Sequence, residues 1–300
     1  MSDWGRVLTA MVSPFDAEGR IDEPAVERLV EHLLANGSEG LVVCGTTGEA
    51  PTLTHEEKLH MFALVREIIR GRGPVIAGTG DNETAFSVQM SKEAAALGAD
   101  GLLLVAPYYN KPSQEGLYRH FRACAEAVAI PVMVYNIPGR TGINVDPQTV
   151  LRLARDLPNV TTVKEASGNL LQASEILAGA PAGFRLYSGE DGLVLPLLSI
   201  GGYGVVSVTS HLVGPTMKAM CEAYASGRTE EAARLHASMI PVVKACFQPT
   251  TPSPVPVKAG LNLIGVTVGG VRLPLVEASD RERAIVRAAL EETGLLPAAA

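Results

Sequence analysis

Apolar residues alternate along this chain between two rhythms. Short, β-branched runs without period-two alternation occur at 7–11, 41–44, 75–78, 102–106, 132–135, 161–164, 185–187 and 205–208. Between them lie stretches whose apolar residues recur at helical spacing. Residues 23–35 carry Val26, Leu29, Val30, Leu33 and Leu34, and residues 55–69 carry Leu59, Phe62, Val65 and Ile69. Residues 91–97, 115–128, 147–156 and 170–177 read the same way. Strand followed by helix, repeated around eight strands, predicts an α/β fold, a (β/α)8 TIM barrel. Unbroken apolar strands fit this, because parallel strands are covered on both faces. An open doubly wound sheet also alternates strand and helix, but its usual G-x-G-x-x-G after the first strand is missing here. Beyond residue 208 the chain is mostly helical, at 215–226, 230–247, 257–264 and 281–293, with a Pro-rich connector at 249–256. The expected organisation is a catalytic barrel over 1–226 and a C-terminal helical extension over 227–300.

Composition narrows the function. The 300 residues are 47% hydrophobic and carry a net charge of −7. That excludes nucleic acid as the main partner, which needs a concentrated basic surface. Lys58, Arg66, Arg70 and Arg72 are the one local gathering of basic residues and read as a solvated helix face. Cys44, Cys124, Cys221 and Cys246 form no C-x-x-C pair. No metal or disulfide role is expected of them, and a reducing, cytoplasmic setting fits. The opening residues 1–6 show no charged segment leading into an apolar one, so no secretory leader is expected. The longest apolar run, 193–208, is interrupted by Pro196, Ser199, Gly201, Gly202 and Gly204, too often to span a membrane.

In a barrel of this kind the C-terminal strand ends build the active site. Strand two ends in Gly45-Thr46-Thr47-Gly48-Glu49, and strand four runs into Pro107-Tyr108-Tyr109-Asn110-Lys111-Pro112. Strand five ends in Tyr135-Asn136-Ile137-Pro138-Gly139-Arg140-Thr141, strand six in Lys164-Glu165, and strand seven in Ser188-Gly189-Glu190-Asp191. Lys164 sits within an apolar strand, where desolvation lowers the pKa of an amine and frees it to attack a carbonyl. A lysine paired with Glu165 or Asp191 is the alternative. The Gly-Thr-Thr-Gly turn offers N–H groups and hydroxyls for a small carboxylate; an ordinary glycine-rich turn is the commoner use of such a segment. Tyr135 can pass protons if a neighbour lowers its pKa, or simply fill core. Arg140 has the planar fork that suits a carboxylate, although most arginines are surface residues. His55 and His60 lack H-E-x-x-H spacing, and the six histidines are read as structural.

These segments together resemble the dihydrodipicolinate synthase and N-acetylneuraminate lyase family, from Thr9-Ala10-Met11-Val12-Ser13-Pro14-Phe15 to Leu273-Pro274-Leu275. The resemblance implies a barrel with a C-terminal helical part, assembled as a homotetramer, a dimer of dimers. It implies a Schiff base between Lys164 and pyruvate, with no cofactor and no metal. The motifs at 45–49 and 135–141 are similar to the branch that condenses pyruvate with aspartate semialdehyde rather than with a sugar acid. By the same resemblance, Thr46 and Thr47 grip pyruvate's carboxylate, Tyr135 moves protons, and Arg140 holds the second substrate. Thr47 and Tyr109 link Tyr135 to solvent, Tyr109 being lent across a subunit interface. The backbones of Gly189 and Val206 line the pocket. Lysine-sensitive members bind their inhibitor at an interface site matched here by Asn82, Tyr108, His55, Lys58 and Phe86. Phe86 replaces a glutamate and Lys58 a histidine, so weak or absent inhibition is expected. The rivals are a sugar-acid aldolase of the same family and a non-catalytic protein that binds a 2-oxo acid.

Overall fold

The structure, a computed structural model, describes residues 4–297. Residues 1–3, where the opening segment read as lacking a leader begins, and residues 298–300 of the extension lie outside the described residues. Eight parallel strands close in chain order into one barrel: β1 (Val7–Ala10), β2 (Gly40–Val43), β3 (Val75–Gly78), β4 (Gly101–Val105), β5 (Val132–Asn136), β6 (Val160–Glu165), β7 (Arg185–Ser188) and β8 (Gly204–Ser207). The last strand pairs back onto the first through Leu8 and Val206, so no edge remains. Around the strands lie α1 (Glu23–Ala35), α2 (His55–Ile69), α3 (Thr84–Ala96), α4 (Gln114–Glu126), α5 (Pro138–Thr141), α6 (Pro147–Asp156), α7 (Leu170–Gly179), α8 (Val194–Ser199) and α9 (Ser210–Ala225). Then follow α10 (Thr229–Cys246), α11 (Val255–Leu263) and α12 (Asp280–Glu292), with α10 packed on α9 and α12.

Side chains alternate across each strand, and both faces are apolar. Leu8, Val42, Ile76, Leu103, Met133, Tyr135, Ala166, Tyr187 and Val206 form the filling of the barrel. Val7, Leu41, Val43, Val75, Val132, Val134, Val163 and Val205 face outward into the layer beneath the helices. Trp4 closes the bottom: a Cβ on Gly101 would meet its ring at 2.3 Å, so only glycine fits beside it.

Three expectations need correction. The helix expected at 91–97 begins at Thr84. Its apolar rhythm is hidden because two buried positions are serines, Ser87 bonding Glu83 O and Ser91 bonding Thr79. The helix expected from 215 begins at Ser210 and breaks at Val213, the conformational adjustment that Pro215 demands. Lys58 is not on a solvated face: it is buried on the inner side of α2, whereas Arg66 and Arg72 are half-exposed and pair with Asp100 and Glu31. Among the described residues no helix is long and apolar enough to cross a membrane.

Candidate active site

Lys164 points into the barrel because the strand period of two sends Val163 and Glu165 outward. Its amine lies 4.1 Å from the centroid of the Tyr135 ring and has no hydrogen-bond or ion-pair partner among the described residues. Burial is the main force on it, lowering its pKa from 10.5 to about 8 against the fields of Asp191 and Glu190. Neither suggested partner neutralises it. Glu165, on the opposite face, accepts from Asn136, Gln172 and the Ser167 N–H. Asp191 accepts from Ser207, from both the N–H and the hydroxyl of Thr209, and from the Val208 N–H. A lysine with a lowered pKa and no salt bridge is the arrangement an amine nucleophile needs.

Tyr135 and Lys164 are register partners on adjacent strands. Burial pushes the phenol's pKa up, and Arg140 and the Thr46 hydroxyl only partly oppose it. No neighbour lowers it on balance, so the phenol stays protonated. The Thr46 hydroxyl is the nearest polar side chain that lowers it. Thr46, Tyr135 and Arg140 line one cavity of about 260 Å³. In the turn above β2, the N–H groups of Gly48, Glu49 and Ala50 bond to Gly45 O and Thr46 O. Those of Thr46 and Thr47 have no acceptor among the described residues, which leaves them free for an anion. Arg140 stands at the exposed rim, its guanidinium donating to Ser253 O at 3.2 Å.

Gly189 lies directly against the lysine: a Cβ there would come within 3.1 Å of Lys164 Cε and 2.5 Å of Ala166 Cβ. Val206 sits with Tyr135 and Ala166 in the barrel filling. Tyr109 is 88% exposed and holds φ at +71°. A left-handed tyrosine costs about 1–3 kcal/mol and persists where its surroundings or its task demand it.

A second group adjoins this cavity. Lys58 Nζ lies 5.4 Å from the centroid of the Phe86 ring, which meets His55 edge-on at 5.7 Å. His55 pairs with Glu93 at 2.8 Å. Tyr108 donates to Asp81 at 3.1 Å, and Asn82 O accepts from Asn110. Burial beside Asp81 raises the Tyr108 phenol to about 12. Lys58, Asp81 and Tyr108 line the same cavity as Thr46 and Arg140.

Sequence reading offers two carboxylates only as partners of Lys164, and their structural roles go unread. Asp191 fixes the start of the segment after β8 by accepting its N–H groups, and Glu165 ties β5 to β6 through Asn136. Their signal was a carboxylate at each strand end. Their partners, distant in sequence, gave none.

Comparison with known proteins agrees with this fold. The model of the dihydrodipicolinate synthetase family matches residues 3–293. The chain is 55% identical over 293 residues to the 4-hydroxy-tetrahydrodipicolinate synthase of Moorella thermoacetica, covering 98% of this chain and 99% of that one. A dihydrodipicolinate synthase structure from Bacillus anthracis superposes with a TM-score of 0.94 at 44% identity, over 99% of this chain and all of the other. One from Cyanidioschyzon merolae with lysine bound gives 0.95 at 46% identity, over 98% and 99%. With the family model matched over nearly its whole length and relatives more than half identical, the chain belongs to the dihydrodipicolinate synthetase family.

Proposed function

We propose that this protein is a lyase of the class I aldolase type that makes 4-hydroxy-tetrahydrodipicolinate, a precursor of diaminopimelate and lysine, from pyruvate and L-aspartate 4-semialdehyde. The observation that carries it is the buried, unpaired amine of Lys164 beside Tyr135, in a chain more than half identical to a synthase of that name. Lys164 Nζ adds to the ketone carbon of pyruvate, and the carbinolamine loses water to give an imine. The protonated phenol of Tyr135 supplies the proton for the departing water. Loss of a proton from the methyl group gives an enamine, whose carbon attacks the aldehyde. The second substrate's amino group then displaces Lys164 from the imine carbon and closes the ring. Thr46 and Thr47 hold pyruvate's carboxylate, and Arg140 holds that of the semialdehyde. A sugar acid is disfavoured, since the relatives above are synthases.

Borohydride reduction in the presence of pyruvate tests this reading. We expect a single mass adduct on the peptide holding Lys164. An adduct on Lys111, Lys244 or Lys258 instead overturns the assignment. Complementation of a diaminopimelate auxotroph tests the biological role.

The assembly that suits Tyr109 is a cytoplasmic homotetramer, a dimer of dimers, in which this exposed side chain enters the neighbouring subunit's site. By its resemblance to lysine-sensitive members of the family, the His55, Lys58, Phe86, Tyr108 and Asn82 group is the counterpart of an inhibitor site; the Cyanidioschyzon merolae relative is itself a structure with lysine bound. Here Phe86 offers a ring where ammonium groups need a carboxylate, and buried Lys58 repels a cation. A lysine titration of initial rates at saturating pyruvate is expected to show weak inhibition or none. Half-inhibition well below roughly 1 mM, an affinity better than about 4 kcal/mol, is the contrary result.

A further inference from the structure

The turn carrying Thr46 and Thr47 is anchored from the far end of the chain. Glu49 closes it, its N–H donating to Thr46 O at 3.1 Å, and holds φ at +55° without being glycine. Such a backbone stays in place only where something else fixes it. Both oxygens of the Glu49 carboxylate are taken by the C-terminal extension. Oε1 accepts from Lys258 Nζ on α11 at 2.7 Å, across 209 residues of sequence, and Oε2 accepts from the Arg272 N–H at 2.9 Å. The side chains of the pair are 3% and 0% exposed. Lys258 also donates to Gly270 O and lies 4.2 Å from the centroid of the Phe15 ring. Arg272 completes the brace, its guanidinium bonding Glu57, Gly19 O and Thr52 O. The same extension reaches Arg140 through Ser253 O.

A buried ion pair is a poor way to gain stability, because desolvating two charges offsets their attraction; apolar residues of like size often serve as well. What an ion pair with two fixed carboxylate oxygens does supply is one orientation. We propose that Glu49 and Lys258 are positioning residues for pyruvate: their ion pair fixes the turn that presents Thr46 and Thr47 to the substrate carboxylate. The helical extension is thereby part of the pyruvate site, although it contributes no atom to the chemistry. The inference rests on the reading of Lys164 and of the turn given above.

The test is steady-state kinetics on Lys258→Met, Glu49→Gln, the double variant and Lys258→Arg, alongside thermal melting. Each variant without the pair is expected to raise KM for pyruvate about tenfold, with kcat and KM for the semialdehyde within about threefold of wild type. Glu49→Gln/Lys258→Met leaves no buried charge unpaired, so it melts above Lys258→Met yet keeps the raised KM. Lys258→Arg retains the cation and falls between wild type and Lys258→Met. A pyruvate KM within twofold of wild type in the double variant and in Lys258→Arg overturns the proposal, as does a parallel fall of kcat and melting temperature with KM unmoved. Should the uncharged variants not fold, Lys258→Arg alone decides. Borohydride trapping on the wild-type protein is run beside these: an adduct on Lys164 with unmoved KM values sinks this inference alone, and no adduct sinks the reading beneath it.

Discussion

Lys164→Ala is expected to abolish the trapped pyruvate adduct and to lower turnover by on the order of a thousandfold or more. No neighbouring amine can substitute. Lys58 belongs to the group around Phe86, Lys258 is engaged by Glu49, and Lys111 lies in the exposed loop after β4. The amine's environment also sets a pH signature. With a pKa of about 8, roughly a tenth of Lys164 is neutral at pH 7 and roughly nine-tenths at pH 9. The rate of imine formation therefore climbs about tenfold per unit below pH 8 and levels off above it, where an ordinary lysine would go on rising to 10.5. The linkage sign is fixed by the same burial. Between about pH 8 and 10.5 the unfolded chain holds this proton and the folded chain does not. This group's contribution to stability therefore rises with pH across that window. Stopped-flow trapping over pH 6 to about 10 reads the first effect, with rapid-mix borohydride fixing the adduct. A profile still rising at pH 10 would mean that Lys164 is solvated.

How much of this was legible depends on whether a feature is local. Lys164 was visible because a lysine in an apolar parallel strand has nowhere polar to go, and period two alone removes Glu165 as its partner. The α2 register shows what counting apolar residues overlooks. Lys58, Met61, Phe62 and Val65 share a face, so spacing does place Lys58 inward, but its charge argued for solvent. Thr46 and Thr47 could not be told apart, since a tight turn sends adjacent hydroxyls to different sides according to φ and ψ rather than composition. Glu49 reads only as the end of a motif, because its partners lie in α11 and in the loop at Arg272. Long-range pairs of this sort leave no periodic trace. The barrel itself was legible because each strand and helix repeats one local rule eight times.

Gly189→Ala is expected to lower kcat/KM for pyruvate about a hundredfold in a protein that still folds. The added methyl would lie 2.5 Å from Ala166 Cβ and 3.1 Å from Lys164 Cε, so something must move. The backbones cannot give way easily: Gly189 N–H bonds Glu165 O at 2.8 Å, and Ala166 N–H bonds Asn136 O at 2.9 Å. Moving the lysine stem relieves only the 3.1 Å contact; the 2.5 Å one strains Ala166 and the strand end that carries Lys164, and both take the reacting nitrogen away from the ketone carbon. Overpacking of this kind costs about 1–3 kcal/mol of stability, which most folds of this size tolerate. The loss is therefore one of alignment, and the trapped adduct on Lys164 forms slowly rather than not at all. Ala166→Gly added to the same protein removes the 2.5 Å contact and leaves the 3.1 Å one, so it restores about tenfold of the lost activity. Single-turnover trapping rates compare the three proteins directly. A Gly189→Ala rate within about threefold of wild type would show that the amine is not placed by this contact, and no recovery in the double variant would shift the cause from Ala166 to the lysine stem itself.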